Sequence, residues 1–159
     1  MNRRLLRIYV NDHLAVMAAV ADVAARSAGS NRGSPLGERL SELHLELRRE
    51  QETLERAMKL LRIRQARWKI AGAVLAQRAG RLKLNGRLRT YSPLSRVIEL
   101  ECLLAGVEWN RIVFTSLRHL GDERLRELDL DGLIRRSGEQ AAALERFRLE
   151  AVSTALNAS

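Results

Sequence analysis

Between Arg62 and Arg96 the chain has no aspartate and no glutamate. The same stretch holds ten cations: Arg62, Arg64, Arg67, Lys69, Arg78, Arg81, Lys83, Arg87, Arg89 and Arg96. Taking those ten from the 28 lysines and arginines leaves 18 against 19 acids, so essentially the whole formal charge of +9 sits in one segment. Charge concentrated in this way is solvated, paired with acids elsewhere in the fold, or presented to an anionic partner. Other absences narrow the chemistry. A single cysteine, Cys102, excludes an internal disulfide and a cysteine cluster for zinc. Aromatic residues are 4% of the chain against 46% hydrophobic residues, so the core is built from Leu, Ala, Val and Ile. Only Pro35 and Pro93 interrupt the chain, which leaves long spans for helices. No nucleophile elbow, phosphate loop or dinucleotide fingerprint is present.

At 159 residues the chain is expected to form one domain, 1–159, large enough to bury a core. Arg3, Arg4 and Arg7 followed by an Ala/Val-rich stretch imitate a signal peptide, but Asp12, His13 and Asp22 interrupt it. No run approaches the roughly 20 apolar residues of a spanning helix. A cytoplasmic location is the expectation.

Apolar residues at helical spacing predict a first helix over 5–27, with Leu5, Ile8, Tyr9, Val16, Ala19, Val20 and Val23 on its inward face. The Ala28–Gly33 segment breaks it. Ser34-Pro35 then supplies a cap and a first-turn proline for a second helix of about seven turns. Its stripe is Leu36, Leu40, Leu43, Leu47, Leu54, Met58 and Leu61. Ser92-Pro93 repeats the start signal for a third helix ending near Leu120, apolar nearly all round and therefore expected to be the most buried. A fourth helix is predicted from about Asp131 to Ala155, with Leu133, Ile134, Ala141, Leu144, Phe147 and Ala151 inward and Gly138 as a weak point. Short first and last connections make two antiparallel hairpins. The middle connection, about 63–91, is a crossover carrying a short helix marked by Trp68, Ala71, Val74 and Leu75.

This order of helices, the long crossover and the mid-helix acids resemble the ferritin-like superfamily over roughly the whole chain. The Asn-Asp-His-Leu segment at 11–14 and the Ser-Pro-Leu-Ser segment at 92–95 are also similar to those of uncharacterised bacterial proteins. The resemblance implies an all-α, ferritin-like four-helix bundle with helices two and three parallel. Its best-known activity implies di-iron chemistry, which needs paired Glu-x-x-His motifs. The chain has none: His13, His44 and His119 lack the spacing. No metal and no cofactor are therefore expected. In the implied topology Asp12, Glu50 and Glu108 share a layer, and with Glu101 they form a buried polar cluster neutralised by Arg148. A nonstandard metal site using Asp12, Glu50 and Glu108 as oxygen ligands is the alternative. His44 is expected partly solvated, and Cys102 buried beside the helix face of Trp109.

The same topology brings the starts of helices two and three to one end. Arg32, Ser34, Lys83, Arg87, Arg89 and Ser92 would then surround two helix N-termini, whose amides and dipoles favour an anion. The expected function is a non-enzymatic binding protein for an acidic or phosphorylated ligand, nucleic acid included. Alternatives are a carboxylate-metal enzyme and a peripheral membrane-binding protein using Trp68, Ile70, Val74 and Leu75 among the cations, although Trp68 is expected to pack against the bundle. A homodimer through the first or fourth helix is compatible with the pattern.

Overall fold

A computed structural model describes residues 2–66, 68, 71–73, 75 and 93–156. Helix α1 spans Arg3–Ser30, α2 Pro35–Leu60, α3 Pro93–Leu120 and α4 Leu130–Leu156, with a single 3-10 turn at Glu123–Leu125 ahead of α4. Among the described residues there is no strand, so the all-α reading holds.

Local chemistry sets the ends. Asn2 caps α1 by accepting from the Leu5 amide, and Ser34 caps α2 by accepting from the Gly37 amide, with Pro35 at the first helical position. Asp129 does the same for α4 through the Gly132 amide at 2.8 Å. The end of α2 is a Schellman motif: the Ile63 amide reaches the Met58 carbonyl at 2.8 Å and the Arg62 amide reaches Lys59 at 3.0 Å. That motif needs a left-handed residue, and here it is Arg62, with φ 55°. Arg62→Gly is accordingly expected to raise stability by about 1 kcal/mol. A urea midpoint that does not rise would show that the Arg62 side chain compensates its backbone strain.

Contacts along the helices give their directions. Tyr9 donates to Ser116 at 2.8 Å, the His13 ring stacks on Trp109 at 4.7 Å, and Ser27 donates to Glu99 at 2.7 Å, so α1 and α3 are antiparallel. Arg56 meets Glu127 while Gln140 meets Glu50, so α2 and α4 are antiparallel as well. Because α1 and α2 form a hairpin, α2 and α3 run in the same direction. At their shared starting end Arg96 donates to the Asn31 side chain at 2.9 Å.

The core has two apolar halves. One gathers Val10, Leu14, Met17, Leu54, Met58, Phe114, Leu117 and Leu133. The other gathers Val20, Leu36, Leu40, Leu43, Leu47, Leu103, Val107 and Leu144. The predicted stripe of α2 is buried throughout. The face predicted for α1 is rotated: Val10, Leu14, Met17, Ala21 and Ala24 point inward, while Leu5 and Ile8 are exposed. Apolar residues surround much of α1, and its contacts with both α2 and α3 select the buried arc. By composition α1 is long and apolar enough to cross a membrane, yet 67% of that window is buried inside the protein. Nor is α3 the most buried element; α1 buries more residues, and Leu94, Trp109, Ile112 and Leu120 of α3 are exposed. Of the expected crossover, Trp68, residues 71–73 and Leu75 are helical; Ile70, Val74 and all of 76–92 lie outside the described residues. Trp68 is 74% exposed, which corrects the expectation that it packs against the bundle.

Candidate functional site

A polar layer separates the two halves of the core. On α2, Glu50 falls between Leu47 and Leu54; on α3, Asn110 falls between Val107 and Val113; on α4, Gln140 falls between Leu133 and Leu144. Each stands one helical turn from its apolar neighbours, or two for Gln140 and Leu133, so each enters the interior. Glu50 is 2% exposed and accepts from Asn110 Nδ2 at 2.9 Å and from Gln140 Nε2 at 2.8 Å. Gln140 Nε2 also donates to Glu46 at 3.0 Å, and Arg39 closes a two-pronged bond onto Glu46 at 3.0 and 3.1 Å. The chain Arg39–Glu46–Gln140–Glu50–Asn110 thus runs from the half-buried rim of the bundle to its centre.

The electrostatics differ along that chain. Burial pushes the Glu50 carboxyl above its ordinary range, opposed by the hydrogen bonds from Asn110 and Gln140 and reinforced by the charge of Glu46. Burial also acts on Glu46, but the bonds from Arg39 outweigh it and hold that carboxyl below its ordinary range. Both amides spend their nitrogens on carboxylates, and their oxygens, Asn110 Oδ1 and Gln140 Oε1, have no hydrogen-bond partner. The layer favours one register: sliding a helix by a turn would leave Glu50 buried without donors.

The expected five-residue cluster does not assemble. Glu50 is buried, but Asp12 is exposed on the side of α1 that carries Leu5 and Ile8. Glu108 is half-buried and bonded to Arg111 one turn away at 2.6 and 2.8 Å. Glu101 is exposed, and Arg148 pairs with Glu145 and, at 3.7 Å, with Glu101 at the surface. To this layer α3 supplies Asn110, two residues beyond Glu108. Asp12, Glu50 and Glu108 therefore do not form a ligand set, and among the described residues no three His, Cys, Asp or Glu side chains converge. Cys102 is exposed rather than buried. His44 is half-buried as expected, its Nδ1 3.0 Å from the Ala21 carbonyl. His13, its ring between Tyr9 and Trp109, is buried with Nδ1 unpartnered, and burial lowers its pKa.

At the end where α2 and α3 begin, Arg32 is exposed on the turn and Ser34 is half-buried. The Ser34 hydroxyl is already occupied, donating to the Asn31 carbonyl at 2.6 Å while accepting from Gly37. Asn31 and Arg96 join the two helix starts. A cavity of about 240 Å³ opens there, lined by Asn31, Ser34, Arg96, Phe147, Glu150 and Thr154 among others. Lys83, Arg87, Arg89 and Ser92 lie outside the described residues.

Fold and site define an all-α protein whose packed helices enclose a carboxylate–carboxamide layer. Comparison with family models, with curated proteins and with solved structures finds no match for this chain.

Proposed function

We propose that the protein is a non-enzymatic binding protein for an acidic or phosphorylated partner, nucleic acid included, engaged at the end where α2 and α3 begin. The observation that carries the reading is the Arg96–Asn31 bond, which joins the two helix starts and brings Arg32 to the end from which the acid-free segment enters α3. Lys83, Arg87, Arg89 and Ser92 complete the proposed surface. Ser34 acts as the cap of α2 and holds the turn rather than the ligand. In the same proposal the helices take a ferritin-like arrangement with a long crossover, a reading supported by the common direction of α2 and α3. The carboxylate-metal reading loses its support because Asp12 and Glu108 stand away from Glu50.

Arg32→Gln/Arg87→Gln/Arg89→Gln is expected to weaken heparin and short duplex DNA binding. Its salt dependence should flatten by about 0.9 per lost phosphate contact in a log–log plot. Circular dichroism verifies that the variant folds; Arg32 is exposed and its charge contributes little to folding. A triple variant that binds both polyanions like the parent overturns the proposed surface.

A further inference from the structure

At the opposite end of the helices, on the order of 40 Å away by the length of α1, the structure carries a second cationic surface of different character. Arg3, Arg4 and Arg7 occupy the first turns of α1, and Arg62 and Arg64 follow the end of α2; all five are exposed. None is in an ion pair among the described residues. Between them stand Leu5, 61% exposed, Ile8, 41% exposed, and Trp68. Arg7, Ile8, Arg64, Ala66 and Trp68 line a shared cleft of about 700 Å³.

Folding accounts for only part of this charge: Arg3 donates to the Leu61 carbonyl at 3.5 Å, and Arg62 and Arg64 follow the negative end of the α2 dipole, whereas the rest is not explained that way. The first turn of α1 has no acid, and its arginines sit at the positive end of the helix dipole, where cations are disfavoured. Arg62 holds a left-handed position that glycine fills at lower cost. The geometry is also built in advance. Buried Asn11 donates to the carbonyls of Arg7 and Arg64 at 2.8 and 3.1 Å and accepts from the Ala66 amide at 2.6 Å. One side chain thus straps the exit from α2 against α1 and brings Trp68 to the arginines.

We infer that this end of the bundle docks on an anionic membrane surface, its five arginines meeting lipid phosphates while Leu5, Ile8 and Trp68 enter the interfacial layer. The cations alone fit any polyanion. The interleaved aliphatic side chains decide for lipid, since Leu5 and Ile8 gain nothing from a phosphodiester backbone, whereas an interface buries them and suits the amphipathic ring of Trp68. This inference is independent of the helix-start site, because the two surfaces share no arginine.

The test is co-sedimentation of the full chain with phosphatidylcholine vesicles containing either no or 30% phosphatidylglycerol. Binding is expected only to the anionic vesicles, with a blue shift in tryptophan emission, and should weaken strongly in high salt. Arg4→Gln/Arg7→Gln/Arg64→Gln should lower the affinity by about a hundred-fold, at roughly fivefold per basic residue near the surface. Trp68→Ser should lower it about tenfold and abolish the blue shift. Arg135→Gln, an exposed site on α4, should leave binding unchanged, and circular dichroism verifies that each variant folds. Equal binding to neutral vesicles overturns the inference, as does unchanged binding by the triple variant. Binding of single-stranded DNA or an acidic peptide through these arginines without vesicle binding overturns it too. Vesicle binding lost in Arg32→Gln/Arg87→Gln/Arg89→Gln but kept in the Arg4/Arg7/Arg64 variant would assign the lipid to the other end.

Discussion

Asn110→Leu is expected to destabilise the protein by about 3 kcal/mol at neutral pH. The leucine removes the donor to Glu50 Oε2 while Glu50 stays buried, and nothing else on α3 replaces it. Glu50→Gln should act in the opposite direction. An ionised Glu50 only accepts, so Asn110 Oδ1 and Gln140 Oε1 have no donor; a glutamine amide, after one flip, supplies one. The expected gain is about 1–2 kcal/mol at pH 7. Its pH dependence separates it from a packing effect. The raised pKa of Glu50 means that the folded chain binds more protons than the unfolded chain between the ordinary carboxylate range and that raised value. Stability from this group therefore falls as pH rises through that window and remains lower above it. The advantage of Glu50→Gln should shrink on acidification as Glu50 becomes neutral by protonation. Glu46 acts with the opposite sign, because the stability it adds is lost as pH falls through its lowered pKa. Urea unfolding of parent, Asn110→Leu and Glu50→Gln across pH 4–8 measures all of this; a Glu50→Gln effect that is flat with pH would contradict an ionised Glu50.

Gly37→Ala is the second large effect. A Cβ at this position would lie 2.1 Å from the Asn31 carbonyl oxygen and 2.7 Å from its carbon, so backbone must move. That carbonyl accepts from Ser34, and the Asn31 side chain accepts from Arg96, so the whole α1–α2 turn shifts with it. Overpacking of about 3 kcal/mol outweighs the helix-propensity gain of about 1 kcal/mol, leaving a net loss of about 2 kcal/mol. The same substitution at Gly138 meets nothing within 4 Å and is expected to stabilise by up to about 1 kcal/mol. Thermal midpoints moving in opposite directions bear out the pair; a neutral Gly37→Ala would show that the turn adjusts freely, and the link to Arg96 would then lose its structural weight.

The contrast between these glycines marks the limit of a one-dimensional reading. Both sit in exposed-looking helical sequence, and only the neighbouring turn distinguishes them. In sequence Asn110 interrupts the apolar rows of α3 just as Glu108 and Glu101 do, and Gln140 those of α4, with nothing local to rank them. Spacing along α3 locates a layer to within half a turn, and which of two residues enters it depends on how α3 rotates against α1 and α2.

Sequence by itself determined the four long helices and most of their ends, because caps, prolines and chain breaks act over three or four residues: Ser34-Pro35, Pro93 and Gly121 mark observed boundaries, while α1 runs on through Ala28, Gly29 and Ser30, residues expected to break it. It also determined the buried row of α2, where leucine recurs on one side only. Tertiary structure alone decided the face of α1, since a helix apolar on most sides has several rotations of similar hydrophobic energy. Contacts with α2 and α3 chose the one that buries Asn11 and His13 and exposes Leu5, Ile8 and Asp12. It alone decided the partners of Glu50, which lie 60 and 90 residues away, because hydrogen bonds between helices require their mutual rotation and height to be set first.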